Sequence, residues 1–146
     1  LMPSLFAPSM ALSLRASASV YRSSVDGLPG PDNRLEQQQP WSMTLGFDHV
    51  LKGMPLTYGA SLSYTPAYSV QQTTEQLNSQ GRSRNLDAYA LWAFNKQVSL
   101  RVAVNNAAPL DGYNRTLVLP SDGVPLTTVS RRTNLANLSA GLTVKF

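Results

Sequence analysis

Strict alternation at period two is the feature that most constrains this chain. Its last stretch, "LSAGLTVKF", sets Leu138, Ala140, Leu142, Val144 and Phe146 on one side and Asn137, Ser139, Gly141, Thr143 and Lys145 on the other. Successive side chains of a strand point to opposite faces, so the segment reads as a strand with one apolar and one polar side. Five earlier segments alternate in the same way. "MALSLRASASV" opposes Met10, Leu12, Leu14, Ala16, Ala18 and Val20 to Ser13, Arg15, Ser17 and Ser19. "WSMTLGFDHVL" opposes Trp41, Met43, Leu45, Phe47, His49 and Leu51 to Ser42, Thr44, Gly46 and Asp48. Leu56, Tyr58, Ala60, Leu62 and Tyr64 stand against Thr57, Gly59, Ser61 and Ser63; Leu86, Ala88, Ala90, Trp92 and Phe94 against Asp87, Tyr89, Leu91 and Ala93. Val98, Leu100, Val102 and Val104 face away from Ser99, Arg101, Ala103 and Asn105.

What lies against the apolar faces is a matter of charge. Charged residues are 14% of the 146, against about 25% in ordinary soluble domains. Asp48, Asp87, Arg15, Arg101 and Lys145 all fall on polar faces. An arginine or lysine on a lipid-facing strand costs roughly 2–4 kcal/mol at mid-bilayer, so lipid would enforce this sorting. No run approaches the ~20 apolar residues of a membrane helix. A secreted β-sandwich shares part of the pattern, but would carry more charge on its wet side. No cysteine is present, so disulfide scaffolds and thiolate metal sites are excluded. The net charge of +4 is spread along the chain and gives no basic patch for nucleic acid.

The connections run long, short, long, short, long: residues 23–40, 52–55, 71–84, 95–97 and 106–131. Outer-membrane barrels combine short periplasmic turns with long extracellular loops, and ring both interfaces with aromatic residues. That orientation gathers Phe47, Tyr58, Trp92, Phe94 and Phe146 toward the periplasmic rim, and Trp41, Tyr64 and Tyr68 toward the outer rim. The expected fold is therefore all-β: an antiparallel transmembrane β-barrel segment of about six strands, spanning residues 1–146 as a partial barrel domain. Single-chain barrels begin at about eight strands. An open six-stranded sheet in lipid leaves two rows of unpaired backbone groups, each costing several kcal/mol. Either several chains share one barrel, or this is the C-terminal piece of a larger one. "LMPSLFAPSM" has no basic leader before an apolar core, and the expectation is the piece.

The order and spacing of these segments resemble the C-terminal barrel strands of a TonB-dependent outer-membrane receptor. "LRASASVYRSSVDGLPGPDNRLEQQQPWSMTLGFDH" resembles a late strand, extracellular loop and returning strand of that family. "GMPLTYGASLSYTPAY" looks like the following turn and strand, and "NLDAYALWAF" with "VSLRVAVNNAAP" like the penultimate hairpin. The resemblance implies a 22-stranded barrel plugged by an N-terminal domain that this chain does not contain. It also implies uptake of a scarce nutrient such as an iron-siderophore, driven by TonB through that absent part. The implied partners are outer-membrane lipid and lipopolysaccharide, the rest of the barrel and plug, and the barrel-assembly machinery. Phe146, Val144, Leu142 and Ala140 resemble the terminal signal which that machinery reads. The alternative is a passive outer-membrane pore or translocator built from several chains.

Candidate chemistry is sparse. His49 is the only histidine and has no second ligand at metal spacing. No Ser/His/Asp order, phosphate-cradling glycine loop or carboxylate pair supports catalysis, so no enzyme activity and no cofactor are expected. Asp48, Asp87, Arg15 and Arg101 are expected in the lumen. Arg22, Arg34, Arg82, Arg84, Arg115, Arg131 and Arg132 lie toward the extracellular side, where forked guanidinium donors suit phosphate or carboxylate. In the longest loop, "PSDG" between "TLVL" and "VPLTTV" predicts a hairpin above the membrane. Tyr113, Arg115 and Arg131 are its candidate ligand contacts.

Overall fold

In a computed structural model, residues 11–28, 30, 32–35 and 38–146 are described. Met10, part of the first alternating segment, lies outside them. Among the described residues ten strands form two antiparallel sheets. The larger has the order β1 (Ala11–Val20), β2 (Trp41–Val50), β3 (Leu56–Thr65), β6 (Ser83–Ala93), β7 (Val98–Asn105) and β10 (Asn137–Val144). These are the six alternating segments. The smaller has the order β4 (Tyr68–Thr73), β5 (Gln76–Gln80), β8 (Gly112–Val118) and β9 (Leu126–Arg132).

The register decides whether six apolar stripes become one surface, because a slip of one residue would turn a strand over. It joins them all. Leu12, His49, Tyr58, Ala90, Val102 and Ala140 form one unbroken row across the sheet; Leu14, Phe47, Ala60, Ala88, Val104 and Leu138 form the next. On the reverse, Ser13, Asp48, Gly59, Tyr89, Ala103 and Ser139 share a row. Nothing among the described residues covers the apolar side: Leu14 is 59% exposed, Leu142 64% and Leu138 74%. Among the described residues Val70 is the only buried hydrophobic side chain. The chain exposes 10675 Å², against about 7,300 Å² for a compact protein of its mass. The two sheets do not stack, so the described residues form no sandwich core.

Short turns close the lower hairpins. Gly53 takes a φ of +78° between β2 and β3, a conformation open to glycine. Between β6 and β7, Asn95 Oδ1 accepts the N–H groups of Gln97 and Val98, both at 2.8 Å, which is how a short Asn-led turn is held. The sheet is sheared. Ala11, the first residue of β1, shares a row with Gly141, yet β10 runs three residues further to Val144. At the other end, Leu138 shares a row with Leu14, while β1 continues to Val20.

The strand number exceeds the six expected, because the two longest connections after β3 are themselves β-structure. β4 and β5 continue the hairpin of β3 and β6 in unchanged register beyond Pro66 and Gly81. β8 and β9 form the hairpin expected around "PSDG" and stand above β7 and β10. Carrying the β6–β7 register upward would set Gln80 opposite Gly112, whereas it faces Asn114. The 106–111 segment thus holds two residues more than its neighbours can pair. Asn106, at a φ of 53°, turns the chain there; its N–H reaches Asp87 Oδ1 at 2.9 Å and its Nδ2 reaches the Leu135 carbonyl at 3.1 Å.

Candidate functional site

The polar side of the large sheet carries the densest group of charged and aromatic side chains. Asp48 on β2 accepts from two directions: from the Arg15 guanidinium on β1, and from the Tyr89 hydroxyl on β6 at 2.5 Å. Arg101 on β7 lies over the Tyr89 ring, 4.8 Å from its centroid, a cation–π arrangement. One chain of contacts therefore crosses from β1 to β7. Asp87, beside it, accepts from Asn85 Nδ2 at 2.7 Å and from the Asn106 N–H. A shallow hollow of about 240 Å³ opens between Arg15, Asp48, Asp87, Tyr89 and Arg101.

Gly59 makes the crossing possible. It stands between Asp48 and Tyr89 in register, and a Cβ there would lie 2.6 Å from Asp48 Oδ1 and 2.9 Å from Tyr89 Cε1. The tyrosine covers the space that the missing side chain leaves. Chemically the group is a tether: the ion pair and hydrogen bonds satisfy Asp48, and no nucleophile is joined to a base. Among the described residues no three His, Cys, Asp or Glu side chains converge as metal ligands. His49 instead pairs with its cross-strand neighbour, Nδ1 lying 2.9 Å from the Tyr58 hydroxyl on the apolar face.

The aromatic residues singled out in the sequence fall as follows. Trp41 and Tyr64 meet at the end of the sheet near the long connections, ring centroids 5.5 Å apart. Tyr68 stands beyond them as the first residue of β4. Tyr58 and Phe47 pack edge-to-face at 6.1 Å, with Phe47 one row farther from the short turn. Trp92 lies opposite Leu56 and Leu100, and Phe94 enters the β6–β7 turn. In β10, Ala140, Leu142 and Val144 face Val102, Leu100 and Val98, and Phe146 projects past the strand, fully exposed.

Tyr113 and Arg131 are cross-strand partners in the upper sheet, while Arg115 lies between Ser79 and Val129. Arg84 donates to the Ala108 carbonyl at 3.0 Å. Sequence reading missed Gly59 and Tyr89, whose only signal was an aromatic residue on an otherwise small, polar face. Comparison with protein-family models, curated proteins and solved structures finds no match to this chain.

Proposed function

We propose that this chain is the C-terminal part of a larger transmembrane β-barrel in a bacterial outer membrane, of the TonB-dependent receptor type, importing a scarce nutrient such as an iron-siderophore. One observation carries the membrane reading: six strands in continuous register bear a single apolar face left uncovered by the described residues, backed by a polar face that holds Arg15, Asp48, Asp87 and Arg101, with Arg84 falling on the apolar side only at the end of β6 next to the long connections. Water does not favour such a face at this size, and lipid does. The shear of the sheet supports closure, because strands that tilt in a barrel must stagger in register.

Among the described residues the outer edges of β1 and β10 have no partner strand, which supports a larger barrel, since both edges need partners in lipid. The receptor assignment rests on the order of strand, loop and aromatic segments. It is also supported by hairpins that rise past the large sheet, suited to meeting a solute outside the cell. Lipid and lipopolysaccharide around the apolar face, the remaining barrel with its plug, and the assembly machinery acting on the terminal strand are the partners of this reading.

The test is the size of the native polypeptide. An antibody against residues 107–131 would probe outer membranes of the source cells, with and without boiling. A single heat-modifiable band several times heavier than 15.8 kDa is expected. A 15.8 kDa band after boiling that runs as a multimer before it would replace the receptor with the shared pore. Recovery in the soluble fraction would sink both.

A further inference from the structure

We propose that the upper sheet holds a binding site for a neutral, polyhydroxylated ligand, an oligosaccharide segment, in the hollow over β4, β5 and β8. The hollow measures about 530 Å³, within the roughly 300–1,000 Å³ of small-ligand sites. Register builds it from two adjacent rows: Tyr68, Gln80 and Asn114 in one, and Val70, Asn78 and Thr116 in the other. Val70, 2% exposed, is the apolar part of the wall. Arg115 is the one charged residue at the wall, set in the intervening row with Ser79 and Val129; every other polar group there is an amide, a hydroxyl or backbone.

That set selects a chemistry. A carboxamide offers a donor and an acceptor side by side, and a hydroxyl offers both on one atom. Vicinal hydroxyls of a sugar ring present the same pair in return. Tyr68 supplies a ring at the margin against which the C–H face of a pyranose can lie. A phosphate or a polyanionic chelate would meet a single cation, and an acyl chain would meet amides.

A second observation points the same way. Asn78 Oδ1 is buried without a hydrogen-bond partner, although buried polar atoms in folded proteins are nearly always paired. Leaving it so is costly. A ligand hydroxyl that displaces the side chains now covering this oxygen removes that cost, with the amide as the pivot of the site. The inference concerns direct binding and stands apart from the transport reading; it holds for a receptor and for a pore alike.

The experiment is isothermal titration calorimetry on the full-length native protein, purified in detergent. The probes are maltohexaose, cellohexaose, mannohexaose and the dephosphorylated core oligosaccharide of lipopolysaccharide. Saturable binding of at least one probe, with Kd below about 10 mM, is expected. Asn78→Leu and Asn114→Leu should each weaken it about tenfold or more, the size of one lost hydrogen-bonding group. Thr127→Ala, on the opposite face of the same sheet, should leave it unchanged. Binding of the hexaoses identifies a soluble glycan as the source, and binding of the core sugar alone identifies the surrounding membrane. Should Asn78→Leu lose the heat-modifiable fold, Gln80→Leu replaces it. No binding of any probe, or undiminished binding by the folded variants, overturns the proposal, as does binding that inorganic phosphate abolishes.

Discussion

Tyr89 on β6 donates its hydroxyl proton to Asp48 on β2 over 2.5 Å, although β3 runs between them. The contact spans two inter-strand gaps, each about 4.8 Å, and only a long side chain lying flat over the middle strand can make it. Gly59 is that middle residue, and a Cβ there would also stand 2.5 Å from the Phe47 carbonyl oxygen. Gly59→Ala is therefore expected to destabilise the sheet by about 1–3 kcal/mol, the range of overpacking in a filled site. Gly141→Ala on β10 meets nothing within 4 Å and should stay within about 0.5 kcal/mol of the parent. Urea unfolding of the native protein in lipid vesicles, followed by tryptophan fluorescence, compares the two. Equal midpoints would remove the packing argument.

Asn106 offers a separate test of how the upper sheet is set on the lower one. It absorbs the two extra residues of the 106–111 segment in a left-handed conformation, φ 53°, which asparagine tolerates and a β-branched residue does not. Asn106→Val should cost about 1–3 kcal/mol through that strain alone, and Asn106→Gly distinctly less. Protease cleavage between residues 106 and 111 is the sensitive readout, since loosening there frees the β8–β9 hairpin. A valine variant as protease-resistant as the glycine variant would contradict this account of the join.

Much of the lower sheet was legible in the sequence because one physical rule acts on every residue of it: two faces, two environments, period two. Leu12 to Val20 and Leu138 to Val144 announce their strands without reference to each other. β4 and β5 obey no such rule. Their sequences, "YSVQQT" and "QLNSQ", put Gln, Ser and Asn on both sides, and they are strands because they prolong the β3–β6 hairpin in its own register. The tether from Tyr89 to Asp48 was hidden for a different reason. The two lie 41 residues apart, and only the register of the intervening strand brings them together. Asn78 is likewise one polar residue among many until Val70 and Thr116 are seen on either side of it.

Two alanines put the membrane reading to a direct test. Ala88 faces the uncovered apolar side in the row of Ala60 and Val104, while Ala103 belongs to the polar row opposite Tyr89. They sit on neighbouring strands at similar height. Ala88→Arg should cost roughly 2–4 kcal/mol if that face meets hydrocarbon, because the guanidinium has no water to reach. Ala103→Arg, placed among Ser139, Tyr89 and the interior, should cost about 1 kcal/mol or less. Urea midpoints in vesicles give both numbers. A soluble face would reverse the order, with the half-buried Ala88 position accepting arginine by letting the guanidinium reach water.

Phe146 separates assembly from stability. It lies beyond the end of β10, which stops at Val144, and its side chain is fully exposed. Removing it takes away no contact that holds the sheet, so Phe146→Ala should leave the urea midpoint within about 0.5 kcal/mol of the parent. If the terminal aromatic residue is read by the assembly machinery, the same change should sharply lower the fraction inserted into outer membranes, measured as the heat-modifiable form during expression. Leu142→Ala is the contrasting case, for it faces Leu100 across the β7–β10 pair and should lower both stability and insertion. A Phe146 variant that inserts as well as the parent would leave the residue as a rim aromatic only. One that loses stability in step with insertion would mean that Phe146 packs against a part of the barrel outside this chain.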